Sequence, residues 1–167
     1  MPDGVIRPSM DRMRESVFAS LGDLSGLSFL DVFSGSGIIA LEAASRGAAY
    51  IEAVEQDKLK RKTLIANAGI SPVRINLRFM SAELYFKRAK TRFDIIFLDP
   101  PFPYQWRKQL LSSIAASVAV SGGSKVLIHR PRGENLSQPD LPLTLEESRE
   151  YGGSVVDFFR YEGEQPV

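Results

Sequence analysis

The strongest constraint on the fold is a regular alternation of short apolar runs with longer amphipathic segments. Five runs rich in Val, Ile, Leu and Phe predict buried strands, at 28–33, 50–55, 73–79, 93–99 and 124–130. The segments between them have helical spacing, at 38–47, 57–70, 81–90 and 105–120. In the second of these, Leu59, Leu64 and Ile65 are predicted to face inward. This alternation predicts parallel strands with helices on both faces of the sheet.

The C-terminal part of the chain has a different pattern. Residues 143–162 contain two strand-like runs joined at Gly152-Gly153, which predicts an antiparallel hairpin. The fold class is therefore α/β, a Rossmann-like, doubly wound and mostly parallel sheet with a C-terminal antiparallel hairpin. We expect residues 1–167 to form one domain, with 1–26 as an N-terminal arm and helix packed on it. A ligand crevice is expected at the carboxyl ends of the strands.

Composition excludes several kinds of site. The chain has no cysteine and a single histidine, His129, which excludes disulfides, thiolate metal sites, a cysteine nucleophile and a histidine-cluster metal site. The formal net charge of +1 points neither toward nor away from nucleic acid. A long apolar run and a signal-peptide pattern are both missing, so we expect a cytoplasmic protein without membrane contact.

A glycine-rich loop follows the first predicted strand. In "LDVFSGSGIIA", Gly35, Gly37 and Ala40 fit the pattern G-x-G-x-x-A, which allows a tight turn and a close approach of ligand to backbone. The next strand ends in Glu55, where a carboxylate can accept hydrogen bonds from both hydroxyls of a ribose. These features fit a nicotinamide dinucleotide and an adenosine cofactor equally well.

Asp31 favours the second of these cofactors. A charge inside an apolar strand is costly unless it has a partner. The ammonium group of S-adenosyl-L-methionine would supply one, whereas a pyrophosphate would not. Hydrogen bonds from N–H groups of the loop are an equally good explanation of Asp31 taken alone.

The segment "FDIIFLDPPF" ends the fourth predicted strand at the same edge of the sheet. Asp99 and the carbonyl of Pro100 can accept the two hydrogens of an exocyclic amine. Such a grip would direct the nitrogen lone pair at a sulfonium methyl, and Phe102 could stack on the base. The segment therefore predicts methyl transfer to a base amine.

Three stretches of the sequence resemble a known family. They are "RPSMDRMRESVFASLGDLSGLSFLDVFSGSGIIALEAASRGA", "VEQD" and "FDIIFLDPPF". They are similar to the bacterial 16S ribosomal RNA guanine-N2 methyltransferases, over about residues 7–130. The resemblance implies a class I methyltransferase that uses S-adenosyl-L-methionine and methylates the N2 amine of a guanine in 16S rRNA. The implied partner is 16S rRNA or a small-subunit assembly particle, and we expect a monomer.

The motifs and the resemblance together define the candidate site. The catalytic candidates are Asp99, Pro100 and Phe102. The cofactor candidates are Asp31, Phe33, Gly35, Ser36, Gly37, Glu55, Gln56, Ser81 and Ala82. The substrate candidates are mostly arginines that flank the predicted crevice: Arg7, Arg12, Arg14, Pro101, Arg107 and Arg130.

The sequence departs from the family pattern in three places. Family members usually carry a basic G-x-x-R-G-R segment before the Arg-Pro stretch, whereas this sequence starts with "MPDGVIRP", so we expect altered RNA recognition. Ser81 replaces an acid or amide beside the cofactor adenine, which leaves backbone groups to contact it. His129 stands where an acid is common after the fifth strand, and we expect it to be exposed or to cap a strand end.

Other functions fit parts of the same pattern. An adenine-N6 methyltransferase acting on DNA or RNA would grip its amine with the same Asp-Pro-Pro-Phe turn. A catalytically weak RNA-binding relative would keep the fold and lose the reaction. A nicotinamide-dependent dehydrogenase fits least well, because no acid–base or hydride-accepting constellation accompanies the glycine loop.

Overall fold

A computed structural model of the protein describes residues 8–163, so Arg7 lies outside the described residues. The helices and strands follow the predicted alternation. In chain order they are α1 (Pro8–Leu21), β1 (Ser28–Val32), α2 (Ile38–Ser45), β2 (Tyr50–Val54), a 3₁₀ turn (Lys58–Lys60), α3 (Arg61–Gly69), β3 (Ile75–Arg78), α4 (Ala82–Lys87), β4 (Ile95–Leu98), α5 (Arg107–Ala115), β5 (Lys125–Pro131), β6 (Leu143–Tyr151) and β7 (Ser154–Tyr161). Across this range, no helix has both the length and the apolar character that crossing a membrane requires.

All seven strands form one sheet in the order β3-β2-β1-β4-β5-β7-β6. The first five strands are parallel, while β7 is antiparallel to both β5 and β6. The predicted fold class is therefore confirmed. The chain order reverses direction between β1 and β4, and a crevice opens at the carboxyl ends of strands on either side of such a switch point. The loops after β1 and β4 carry the two predicted motifs.

The core has two halves, one on each face of the sheet. Neighbouring residues of a strand alternate between them, so Phe29 and Phe97 pack on one face while Leu30 and Ile96 pack on the other. All four side chains are almost fully buried. Coverage of both faces explains why the parallel strands are continuous apolar runs rather than alternating ones.

Helix α1 joins the centre of the sheet to the C-terminal hairpin. Its Phe18 ring stacks on Phe29 of β1, with the ring centroids 5.8 Å apart. On its other side, Ser16 Oγ accepts hydrogen bonds from the Tyr151 hydroxyl at 2.7 Å and from Arg149 Nη1 at 3.0 Å, both on β6. The helix therefore packs on one face of the sheet and is joined both to β1 and to the edge strand β6.

The segment before α3 corrects one prediction. Asp57 accepts a hydrogen bond from the Leu59 amide at 2.9 Å and caps the 3₁₀ turn, so the α-helix begins only at Arg61. A 3₁₀ turn has three residues per turn, which breaks the helical register that the sequence pattern assumed. Leu59, in the 3₁₀ turn, is therefore 89% exposed. Within α3, Leu64 is buried as predicted, while the adjacent Ile65 lies about 100° further around the helix and is 51% exposed.

Two glycines provide a matched test of this backbone. Gly47, which ends α2, has φ +101°, and a Cβ there would lie 2.9 Å from Ser25 Oγ and 3.2 Å from its amide nitrogen. Gly69, in the last turn of α3, has helical geometry with open space around it. We expect Gly47→Ala to lower the free energy of unfolding by about 1–3 kcal/mol, and Gly69→Ala to raise it by about 0.4–1 kcal/mol.

Urea denaturation of both variants measures these changes. Equal effects at the two positions would contradict the backbone geometry described for Gly47.

Candidate active site

One cleft lies at the carboxyl edge of the sheet, with a volume of about 870 Å³. Its walls come from the loops after β1, β2 and β4, from His129 of β5, from α1, and from the tip of the hairpin. The lining residues are Met10, Met13, Phe33, Glu55, Gln56, Asp57, Lys60, Asp99, Pro100, Pro101, Phe102, His129, Tyr151, Gly153 and Ser154. Its position matches the predicted crevice.

The loop after β1 has a tightly specified backbone. Phe33 has a positive φ of +61°, which is uncommon for a residue with a side chain, and it lines the cleft. Gly37 has φ +86°, and a Cβ there would lie 2.7 Å from Leu64 Cδ1, so α3 packs directly against the loop. The Ser36 carbonyl accepts a hydrogen bond from Asn67 Nδ2 of the same helix at 2.7 Å. These contacts fix the loop before any ligand is bound.

Glu55 connects the loops after β1 and β2. Its Oε1 accepts a hydrogen bond from the Gly35 amide at 2.7 Å, and its Oε2 accepts one from the Asp57 amide at 2.8 Å. The side chain is buried yet forms part of the cleft wall. Each carboxylate oxygen has a second lone pair, so both could also accept a hydrogen bond from a ligand hydroxyl.

Asp31 is almost completely buried behind the glycine loop. Its Oδ2 accepts hydrogen bonds from Ser34 Oγ at 2.7 Å and from the Ala40 amide at 3.1 Å. Its Oδ1 is buried without a hydrogen-bond partner in the described part of the chain. Burial raises the pKa of Asp31 to about 7, and the charges of Asp99 and Glu55 add to the effect. Three carboxylates therefore lie close together at this edge of the sheet, which favours a cationic ligand.

Asp99 follows β4 and lies between β1 and β5. Its amide donates to the Val32 carbonyl at 3.2 Å, and its Oδ1 lies 2.8 Å from His129 Nδ1. The side chain is 29% exposed, and Oδ2 has no hydrogen-bond partner within the described residues. Beyond it, the Phe102 ring is 53% exposed at the mouth of the cleft and meets the His129 ring edge-to-face at 5.7 Å.

The Asp-Pro-Pro-Phe loop is held from behind by one buried arginine. Arg107, the first residue of α5, is fully buried, and each of its five N–H groups has an acceptor. The acceptors are the carbonyls of Pro100 (3.4 Å), Pro101 (3.1 Å), Tyr104 (2.7 Å) and His129 (3.1 Å), and Glu134 Oε2 (3.0 Å). This guanidinium fixes the path of the backbone that carries the motif.

Two substrate predictions are corrected by these contacts. Arg107 was predicted to contact substrate, but its donors are all used inside the protein. Arg130 was given the same role, but its Nε forms an ion pair with Asp157 Oδ2 at 2.6 Å, away from the cleft. For Arg130 the physical reason is strand alternation, because His129 and Arg130 are adjacent on β5 and therefore point to opposite faces.

The environment of the His129 side chain also differs from the prediction. Its side chain is only 13% exposed, and it contacts Asp99 rather than solvent or a strand end. The parallel register pairs Leu98 with Ile128, which places the next residue of each strand side by side. No local sequence pattern indicates this pairing, because the two residues are 30 positions apart.

The other predicted residues divide between the cleft and its surroundings. Gln56 and Pro101 line the cleft. Ser81 lies outside the cleft lining and caps α4, where its Oγ accepts a hydrogen bond from the Leu84 amide at 3.1 Å; the adjacent Ala82 is buried in the core. On α1, Arg12 is exposed and Arg14 pairs with Asp11 at 3.2 Å, and neither arginine is part of the cleft wall.

Several cleft residues were missed by the sequence reasoning. Met10 and Met13 come from α1, while Tyr151, Gly153 and Ser154 come from the hairpin tip. No local motif marks them, because their position depends on how α1 and β7 pack against the parallel strands. The predicted hairpin at Gly152-Gly153 was the available signal, but its location beside β5 could not be derived from it.

The role of Arg107 can be tested against a neighbouring cation on the same helix. We expect Arg107→Met to lower the free energy of unfolding by about 3–5 kcal/mol, because it leaves buried carbonyls without donors and Glu134 without its partner. Lys108 is exposed, so Lys108→Met should change stability by less than about 0.5 kcal/mol. Urea denaturation compares the two, and equal stability would contradict the organising role of Arg107.

Comparisons with known proteins support a family assignment. A family profile described as Conserved hypothetical protein 95 matches residues 1–160. Ribosomal RNA small subunit methyltransferase D of Escherichia coli (strain K12) is 31% identical, over 95% of this chain and 80% of the relative. The tRNA1(Val) (adenine(37)-N6)-methyltransferase of Cytophaga hutchinsonii is 35% identical, but over only 47% of this chain and 34% of that protein.

The comparison with solved structures supports the same family assignment. The solved structure of the Escherichia coli protein yhhF matches with a TM-score of 0.86 and 25% identity, covering 98% of this chain and 91% of that chain. The match therefore includes both the parallel part of the sheet and the hairpin. On the profile match and the extent of the 31% identity, the chain belongs to the family of ribosomal RNA small subunit methyltransferase D.

Proposed function

We propose that this protein transfers a methyl group from S-adenosyl-L-methionine to the N2 amine of a guanine in 16S rRNA. The observation that carries the proposal is the grouping of Asp31, Glu55 and Asp99 at one edge of the sheet, beside the Asp-Pro-Pro-Phe loop. A cofactor with an ammonium and a sulfonium is attracted to such a site, whereas the pyrophosphate of a dinucleotide is repelled. The family to which the chain belongs includes ribosomal RNA methyltransferases, which supports methyl transfer to an RNA substrate.

The residues around the glycine loop fit this cofactor. Asp31 Oδ1 is a buried acceptor that lacks a partner among residues 8–163, and the methionine ammonium would provide one. Glu55 would accept hydrogen bonds from the ribose hydroxyls, and Phe33 and Gln56 line the same part of the cleft. When bound, the cofactor supplies an electrophilic methyl group on its sulfonium.

The Asp-Pro-Pro-Phe loop would hold the acceptor amine. Asp99 Oδ2 is available as an acceptor, and the Pro100 carbonyl has only a long contact of 3.4 Å with Arg107. Two acceptors on one NH₂ group orient its lone pair, and a fixed orientation favours in-line transfer. Phe102 presents an exposed ring on which an unstacked base can lie. These residues bind and orient the base, and the amine proton is lost after transfer.

The partner is expected to be 16S rRNA, either free or within a small-subunit assembly particle. The Escherichia coli relative is a ribosomal RNA small subunit methyltransferase by name, and its similarity extends over almost the whole chain. The net charge of +1 provides little general attraction for phosphates. We therefore expect an assembled particle to be a better substrate than naked RNA.

Nucleoside mass spectrometry identifies the methylated base. Purified protein, labelled S-adenosyl-L-methionine and small-subunit particles from cells lacking the enzyme should yield N2-methylguanosine. N6-methyladenosine would instead identify the adenine alternative, whose named relative matches only about half of this chain. Cofactor binding without any methylated product would identify an inactive RNA-binding relative.

Asp99 should affect turnover far more than cofactor affinity. It would contact the amine and not the cofactor, so its contribution appears in the transition state. We expect Asp99→Ala to lower kcat by about a hundred- to a thousandfold, while the Kd for the cofactor stays within a few-fold. Steady-state kinetics and calorimetry measure the two quantities. Near-normal turnover in a folded Asp99→Ala protein would refute the amine-binding role.

The raised pKa of Asp31 predicts that cofactor binding depends on pH. With a pKa of about 7, Asp31 is mostly ionised at pH 8 and mostly protonated at pH 6. If the ionised form binds the ammonium, affinity should fall about tenfold from pH 8 to pH 6. Calorimetry at both values measures the change, and Asp31→Asn should remove this part of the pH dependence.

The stability of the protein without cofactor should change with pH in the opposite direction. The folded-state pKa of Asp31 lies above its unfolded value of about 3.9, so the folded state binds this proton more tightly. The contribution of Asp31 to the free energy of unfolding therefore decreases as pH rises from about 4 through 7. Comparing denaturation of wild type and Asp31→Asn at several pH values isolates it. A contribution that grows with pH would contradict the raised pKa.

A further inference from the structure

The proposed function assigns no role to His129, although it contacts both ends of the motif. Its Nδ1 lies 2.8 Å from Asp99 Oδ1, and its ring meets Phe102 edge-to-face. Its carbonyl accepts the hydrogen bond from Arg107 Nε at 3.1 Å. His129 is therefore the one β5 residue that touches the catalytic carboxylate, the stacking ring and the arginine behind the loop.

The contacts of the imidazole define its protonation. An ionised carboxylate only accepts hydrogen bonds, so the short contact requires the proton on Nδ1 of His129. Nε2 is buried and has no partner in the described structure. A second proton there would be a buried cationic N–H without an acceptor, which is unfavourable. The geometry therefore favours a neutral imidazole with its proton on Nδ1.

The side chains facing His129 agree with this assignment. Asp99 accepts the hydrogen bond from Nδ1 of His129, and the Phe102 ring offers no conventional acceptor to Nε2. Arg107 lies behind the loop, and its charge is already paired with Glu134. A neutral donor on Asp99 leaves the negative charge of the carboxylate largely intact, whereas a cation at the same place would neutralise it.

We propose that His129 is a positioning residue for methyl transfer. Its Nδ1–H would hold Asp99 Oδ1, restrict the rotation of the carboxylate and leave Oδ2 directed at the incoming amine. This inference rests on the proposed function, because Asp99 must be the group that binds the amine. It extends that function by giving a role to His129, which stands where members of the resembled family commonly have an acid.

The hydrogen bond can be tested without any enzyme activity. His129 is the only histidine in the sequence, so the imidazole nitrogen spectrum of a protein without a histidine tag contains one side chain. At neutral pH, we expect a protonated Nδ1 and a bare Nε2 in long-range ¹H–¹⁵N spectra. In Asp99→Ala, the spectrum should shift toward the Nε2–H tautomer that imidazoles favour in water. An imidazolium or an Nε2–H tautomer in the wild type would overturn the proposal.

Two variants of His129 with side chains of similar size test its effect on catalysis. In His129→Asn, the amide nitrogen is attached to Cγ like Nδ1 and can still donate to Asp99. His129→Leu fills a similar volume without a donor. We expect His129→Leu to lower kcat by about ten- to a hundredfold, the size of loss seen when residues that orient metal ligands are removed, with the KM for the cofactor within about twofold. His129→Asn should recover most of the rate.

The outcomes separate the two proposals. Urea denaturation first checks that wild type, His129→Asn and His129→Leu are all folded. Equal kcat for the three proteins would then overturn the positioning role while leaving the proposed function intact. A wild type that binds the cofactor but methylates no small-subunit particle would refute the proposed function. In that case, the nitrogen spectrum still decides whether His129 holds Asp99 as described.

Discussion

The buried guanidinium of Arg107 is the interaction on which the candidate site depends. Pro100 and Pro101 lack backbone N–H groups, so the loop after β4 has more carbonyl acceptors than amide donors, although the Tyr104 amide donates to the Pro101 carbonyl at 2.9 Å. An arginine offers five donors in a rigid plane, and here they join three carbonyls of this loop to the end of β5. Glu134 balances the charge. A motif built from two prolines therefore requires a donor from outside, and the first residue of α5 provides it.

Sequence patterns were most informative where a side chain's role follows from its place along one strand. The alternation of elements predicted the sheet, and Glu55 and Asp99 follow directly from strands that end at the same edge. Sequence patterns failed where a prediction depends on the direction in which a side chain points. Arg107 looked like a phosphate ligand because it flanks the crevice, but the start of α5 turns it inward. Leu59 looked like a core residue because the sequence does not show where a 3₁₀ turn replaces a helix.

Alternation along β5 separates two functions in adjacent residues. His129 faces the cleft and meets Asp99, while Arg130 faces the opposite side and pairs with Asp157 of β7. Asp157 also accepts a hydrogen bond from Ser148 Oγ of β6 at 2.7 Å, so a single buried carboxylate joins the last three strands. The hairpin is thereby attached to the parallel part of the sheet by polar contacts as well as by its backbone. Contacts of the candidate site and contacts that assemble the sheet thus come from one dipeptide.

The antiparallel direction of β7 has a consequence for how such a protein can change its target. Because β7 starts beside the end of β5, with Ser154 opposite Pro131, the turn between β6 and β7 becomes part of the cleft wall. Exposed turns accept inserted residues without moving the strands that they join. Lengthening the chain at Gly152-Gly153 would therefore reshape this wall of the cleft, while the glycine loop and Glu55 keep their positions. The proposed substrate side of the cleft can therefore change in evolution independently of the proposed cofactor side.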